Sequence, residues 1–210
     1  ALQSKNSSVM AILHLACNRV GMLYLPLHDS WRETEVRHLL QRSQARVIVL
    51  PVEYRGFDHA GMMASMRGQL PDLRRVFTLD RTAPGTLPWE DLLKPTRHSK
   101  AALDKHRPDP DAPAHTMLSG GTTALSKISR FTCNDLMAML DNFALSIELG
   151  ENDVAAALAP AGTGATGYVY PILAPLLWGA TSVILERWGQ NVPEAVQLIP
   201  TTDREAVGLL

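Results

Sequence analysis

Short apolar runs rich in β-branched residues alternate with amphipathic stretches along this chain, and that alternation restricts its fold more than any other feature. In the first half, residues 22–27, 45–50 (ARVIVL) and 76–79 read as buried strands. Between them, residues 8–20 place Val9, Ile12, Leu13, Ala16 and Val20 at helical spacing, with Gly21 where a left-handed C-cap belongs. Ser30 with Glu33 three residues on predicts a capping box for a helix running to Ser43, and residues 59–69 form another helix. The second half repeats the pattern. Strands are expected near Thr116 and Met117 and at 128–132, 153–159, 181–185 and 206–210; helices are expected at 134–149, N-capped by Asn134, at 168–178, interrupted by prolines, and at 193–198. Strands and helices in alternation imply an α/β fold built on helix-covered, largely parallel sheets.

Residues 94–115 interrupt this order with four prolines and few large apolar side chains. They divide the chain into a first α/β subdomain (1–97), a linker (98–114) and a second α/β subdomain (115–210). His98, His106 and His115 fall in or beside that connection at spacings that match no zinc site, and are expected to be solvated loop histidines. Charge is unevenly spread: residues 1–110 carry 16 basic and 11 acidic side chains, residues 111–210 carry 4 and 10. Neither half is basic enough to point to nucleic acid, and no apolar run reaches the length of a membrane span. Two cysteines, Cys17 and Cys133, build no disulfide framework, which favours a reducing, cytoplasmic location. Both ends of the chain fall on apolar runs that look cut from something longer.

Two glycine-containing stretches invite a chemical reading. Gly162, Gly164 and Gly167 have the G-x-G-x-x-G spacing of a dinucleotide-binding turn, with Glu186 about twenty positions on. Local physics opposes that reading, and the oxidoreductase it would imply. Pro160 stands where the turn should continue a strand, and Pro171 and Pro175 fall within what would have to be a regular helix. The second stretch, HTMLSGGTTALSK (residues 115–127), has the makings of a phosphate cradle. Gly120 and Gly121 allow backbone N–H groups to approach an anion, Ser119, Thr122 and Thr123 add hydroxyls, and Lys127 adds a positive charge. It is not the G-x-x-x-x-G-K-[ST] mononucleotide loop, because no glycine immediately precedes Lys127 and no Ser or Thr comes directly after it.

That loop resembles the phosphate-binding signature S/T-S/G-G-T-T-G-x-P-K of the acyl-adenylate-forming superfamily: acyl-CoA synthetases, aryl-acid ligases, peptide-synthetase adenylation domains and luciferases. Residues 7–51, 53–77 and 131–140 are similar to further stretches of that superfamily, in its order. The resemblance implies part of an N-terminal domain that binds ATP and a carboxylic acid. The acid is activated as acyl-AMP, and a thiol of coenzyme A or a carrier protein then displaces AMP. Carried over residue by residue, Ser119, Gly120, Gly121, Thr122, Thr123 and Lys127 would hold the ATP phosphates, by positioning and charge rather than covalent chemistry. Ala161, Thr163, Gly164 and Tyr168 would face the acid, and the small side chains of the first three suggest room for a bulky one.

The sequence also departs from the pattern. Ala124 replaces the loop's last glycine, Ser126 its proline, and Cys133 stands where many relatives carry histidine. A weakened loop would suit an enzyme that mainly converts preformed acyl-AMP, or a non-catalytic relative that keeps the fold. The resemblance puts the groups that engage Mg2+, the ribose and the catalytic lysine beyond Leu210, so that no catalytic residue is expected among these 210 and they would be inactive by themselves.

Overall fold

The computed structural model describes residues 1–94, 98–119 and 125–186, together with the backbone of strand 206–208. In chain order the first part contains β1 (Leu2–Gln3), α1 (Ser8–Arg19), β2 (Pro26–Leu27), α2 (Glu33–Ser43), β3 (Val47–Leu50), β4 (Glu53–Tyr54), β5 (Phe57–Asp58), α3 (His59–Met66), β6 (Arg75–Thr78), β7 (Leu87–Pro88) and α4 (Lys100–Asp104). The second contains β8 (Pro113–Ser119), β9 (Lys127–Thr132), α5 (Cys133–Ser146), β10 (Val154–Ala157), a π-helical segment (Ala165–Leu173), α6 (Ala174–Trp178), β11 (Thr181–Ile184) and β12 (Ala206–Gly208).

Two sheets organise these elements, each parallel throughout: β2-β1-β3-β6-β7 and β11-β10-β12. The exceptions are hairpins, β4–β5 and the longer β8–β9, both antiparallel. Period-two alternation in β3 and β6 explains how the first sheet is covered on both faces. Ile48, Leu50 and Val76 pack with Val36, Leu39, Met63 and Met66 of α2 and α3. Val49 and Phe77 point the other way, into a cluster that joins Met10 of α1 to Leu136 and Leu140 of α5 and to Tyr168 and Ile172. One apolar core therefore runs between the first sheet and the elements of the second half.

Several local expectations are corrected. α2 does not start on a Ser30 cap, because the Ser30 hydroxyl and N–H both turn to His28 Nδ1 (2.8 and 3.1 Å). The helix begins at Glu33, and Glu35 accepts from the Arg32 N–H instead. Likewise Thr132, not Asn134, caps α5: its hydroxyl accepts from Asp135 N–H at 3.0 Å while the Asp135 carboxylate accepts from Thr132 N–H at 2.8 Å. Asn134 reaches sideways to Asp111 Oδ1. In α1 the buried residues are Met10, Ala11 and His14, whereas Ile12 and Ala16 face solvent. The stripe was displaced because His14 counts as polar in a periodicity pattern yet is buried here with hydrogen-bonding partners.

Between Pro171 and Pro175 the expected helix takes two forms. Pro171 has no N–H to donate, and the segment around it adopts the wider π geometry before α6 resumes regular winding to Gly179. The helix expected at 193–198 lies outside the described residues.

Candidate functional site

The β8–β9 hairpin carries the glycine- and threonine-rich stretch at its tip. Its register runs from Phe131 opposite His115 to Lys127 opposite Ser119, so the two described ends of the predicted phosphate loop face one another across the last rung. Both are exposed. Gly120, Gly121, Thr122, Thr123 and Ala124 lie outside the described residues. At the hairpin's flank, a groove of about 970 Å³ is lined by His38, Arg42, Lys127 and Arg130 with no carboxylate among its lining residues. Among the described residues neither Arg42, Lys127 nor Arg130 is engaged in an ion pair, so the field beside the loop favours anions.

The second predicted region begins where β10 ends. Pro160 leads into a single 3-10 turn, Ala161–Thr163, and Gly164 at φ 77°, ψ −121° redirects the chain into the π segment. The glycine spacing there is explained by crowding. A Cβ on Gly162 would strike the His28 backbone, and one on Gly167 would overlap the Pro160 carbonyl oxygen. A Cβ on Gly164 would sit 3.7 Å from Met117 Cβ, two residues before Ser119 on β8. Thus the turn that carries Thr163 and Gly164 packs against the strand leading into the phosphate loop. Two regions about forty residues apart in sequence form one locality.

The four residues expected to face an acid differ in setting. Thr163 is exposed, its hydroxyl donating to the Pro160 carbonyl at 2.6 Å, and Gly164 is buried against β8. Ala161 is buried, with its N–H donating to Asn6 Oδ1 at 2.7 Å. Tyr168 is 0 % exposed and sits behind the turn, within a cluster of rings formed with His14, Tyr24 and His115.

That cluster holds residues that pattern reading overlooked. Asn18 Nδ2 donates to His14 Nε2 (3.1 Å), which leaves the proton on Nδ1 to donate to the Tyr168 hydroxyl (2.9 Å); Tyr168 in turn donates to the Met10 carbonyl (3.3 Å). His115 was expected in solvent but is fully buried, because Tyr24 bridges to it from the first half: Tyr24 N–H donates to Ala114 O and Thr116 N–H to Tyr24 O, both at 3.0 Å. Loss of water pushes His14 down to about 4, and burial together with neighbouring His14 pushes His115 down to about 3. Both rings are neutral at pH 7. Desolvation holds the Tyr168 and Tyr24 phenols well above their ordinary value. The four rings pack together in the buried interior. A sequence signal existed only for His14, which lies four residues from Met10 and from Asn18.

Parallel sheets present their binding crevices at the carboxyl ends of their strands. Here the ends of β1, β2, β10 and β11 converge on the Gly162–Gly164 turn, beside β8 of the β8–β9 hairpin. The architecture this defines is an α/β domain whose fold recurs in solved acid–CoA ligases. The solved anthranilate CoA ligase AuaEII, in complex with anthranoyl-AMP, has the same fold at TM-score 0.75 and 20% identity, covering 93% of this chain and 36% of that one. ATP-bound MatB from Rhodopseudomonas palustris matches at TM-score 0.74 and 17% identity, covering 93% and 36%.

The chain belongs to the AMP-binding enzyme family, which it matches over residues 1–204. Among curated relatives, the medium-chain fatty-acid–CoA ligase of Escherichia coli K12 is 29% identical over 83% of this chain and 31% of its own length. The 2-hydroxy-7-methoxy-5-methyl-1-naphthoate–CoA ligase of Streptomyces carzinostaticus is 29% identical over 97% of this chain and 37% of its own. The chain thus spans about a third of the length of the curated relatives it matches. No helix among the described residues is long and apolar enough to cross a membrane.

Proposed function

We propose that this chain is the acid- and phosphate-binding part of an AMP-forming acid–thiol ligase. In this reading a carboxylate oxygen attacks the α-phosphorus of ATP, pyrophosphate leaves, and the thiol of coenzyme A or of a carrier protein then displaces AMP from the acyl-AMP. Ser119, Gly120, Gly121, Thr122, Thr123 and Lys127 hold the β- and γ-phosphates, and Lys127 offsets charge that builds as pyrophosphate departs. Ala161, Thr163 and Gly164 form one wall of the acid pocket, backed by Tyr168. Mg2+, which would neutralise phosphate charge, is assigned to groups beyond Leu210; among the described residues no three His, Cys, Asp or Glu side chains converge.

The observation that carries this reading is the nearness of Gly164 to Met117, whose Cβ would stand 3.7 Å from a Cβ added to the glycine. Attack on phosphorus needs the carboxylate and the triphosphate held side by side, and this nearness sets the proposed acid wall against the strand that feeds the phosphate loop. A wall of alanine, threonine and glycine leaves room for a bulky acid, in keeping with the naphthoate ligase among the relatives.

The test is acid-dependent ATP–pyrophosphate exchange by the full-length protein with bicyclic aromatic, monocyclic aromatic and medium-chain acids. Thr163→Phe is expected to abolish exchange with bicyclic acids while sparing smaller ones; equal effects on all acids would remove Thr163 from the pocket. Turnover from acid plus ATP, compared with turnover from synthetic acyl-AMP, decides whether Ala124 and Ser126 have weakened the first step. Equal rates would mean that adenylation is intact.

A further inference from the structure

Asn6 lies just past the carboxyl end of β1, 7 % exposed, and its amide is bound on both sides to backbone groups more than 150 residues away in sequence. Nδ2 donates to the Ala159 carbonyl at 2.9 Å and to the Leu185 carbonyl at 3.0 Å, and Oδ1 accepts the Ala161 N–H at 2.7 Å. Those partners are the residues that follow β10 and β11 and the first residue of the turn carrying Thr163 and Gly164. None of the three groups is paired within a strand ladder, so the side chain supplies what the sheet does not. Lys5 adds a surface ion pair to Glu186 at 2.9 Å, which solvent renders weak. On the other side of the same turn, Gly162 abuts His28, whose carbonyl is held by Gln3 Nε2 at 2.9 Å. Two residues of the β1 segment, Gln3 and Asn6, thereby fix the turn from opposite sides.

We propose that Asn6 is a positioning residue for the acid site: it sets where the Ala161–Gly164 wall stands relative to the phosphate-loop hairpin, and so which acids fit. The proposal rests on the ligase reading above. Asn6 touches no reacting group; it acts through Ala161. A primary amide suits the task because it offers two donors and an acceptor in one rigid plane, which neither aspartate nor serine reproduces. Without it, the buried Ala161 N–H and two half-buried carbonyls lose their partner and the turn can drift toward the space where the acid is held.

The test uses the full-length protein with Asn6→Ala and, should alanine fold poorly, Asn6→Ser, which keeps one hydrogen bond. Two quantities are read: kcat/KM in pyrophosphate exchange across bicyclic, monocyclic and medium-chain acids, and amide hydrogen exchange of the peptide spanning 159–166. The expected result is a change of about tenfold in the ratio of kcat/KM for bicyclic over medium-chain acids, with KM for ATP within about twofold. Faster exchange should be confined to 159–166 and the Leu185 region. A uniform loss for every acid that tracks a lower Tm, or unchanged exchange at 159–166, overturns the proposal. Wild-type protein silent with every acid would refute the ligase reading instead; hydrogen exchange then decides alone whether Asn6 holds the turn.

Discussion

Replacing Gly162 by alanine isolates the physical cause of the glycine-rich turn. An ideal Cβ at that position would lie 2.7 Å from His28 N and 3.0 Å from His28 Cβ, and closer still to His28 Cα. The obstacle is backbone, and it cannot retreat cheaply: the His28 carbonyl accepts from Gln3 Nε2, while its ring meets Asp29 Oδ1 at 2.9 Å and Ser30 Oγ at 2.8 Å. Forcing a methyl group into such a contact costs up to about 3 kcal/mol. For a protein of this size that lowers Tm by roughly 6–12 °C. Gly68→Ala is the matched control, since nothing lies within 4 Å of its Cβ and its backbone needs no left-handed conformation. There the change should be neutral or stabilising by about 0.4–1 kcal/mol, through the unfolded chain. Thermal denaturation by far-ultraviolet circular dichroism compares the two variants with the parent. If Gly162→Ala melts within about 2 °C of Gly68→Ala, the close approach to His28 does not exist, and the glycine must be explained by a ligand after all.

Lys127→Ala should lower kcat/KM for ATP in the full-length enzyme by about a hundredfold, the scale for removing one charge-stabilising donor. Its Tm should stay unchanged because the side chain is exposed; unaltered exchange kinetics would place the phosphates elsewhere. Acid should destabilise the fold through His14 and His115. Their pKa values fall from 6.5 to about 4 and about 3 on folding, so below pH 6.5 the unfolded chain binds protons that the folded one refuses. Stability present at neutral pH is then lost at up to about 1.4 kcal/mol per pH unit for each ring, until the folded-state values are reached. His115→Leu, which also removes two buried ring nitrogens that have no hydrogen-bond partner among the described residues, should flatten that decline in urea titrations at pH 7 and pH 5. An unchanged slope would mean that the ring is hydrated. The 210 residues by themselves should show no acid-dependent pyrophosphate exchange; robust exchange would mean that the catalytic groups lie within them.

Much was legible before any coordinates. The strand and helix order came from local periodicity, while the reading of Ser119–Lys127 as a phosphate loop rested on the resemblance to the adenylate-forming signature, since glycines, hydroxyls and a lysine at that spacing also suit an ordinary turn. Errors fell where a local rule met a partner it does not count, near in sequence or far. Ser30 and Asn134 are good caps by propensity, but His28 and Asp111 claim their side chains. His115 sits in a polar, proline-rich stretch, yet Tyr24 bridges to it and draws it into the core.

The sequence by itself determined a largely parallel α/β fold and marked Ser119–Lys127 as a candidate phosphate loop, because side-chain period and backbone freedom are properties of a few consecutive residues. Only the tertiary structure shows that a side chain at Gly162 would meet His28 and one at Gly167 would meet Pro160. It also decided that Asn6 ties the chain's beginning to Ala159, Ala161 and Leu185, and that Gly164 stands against Met117. Such contacts join residues separated by up to 179 positions, and no local pattern encodes a partner that folding alone brings near.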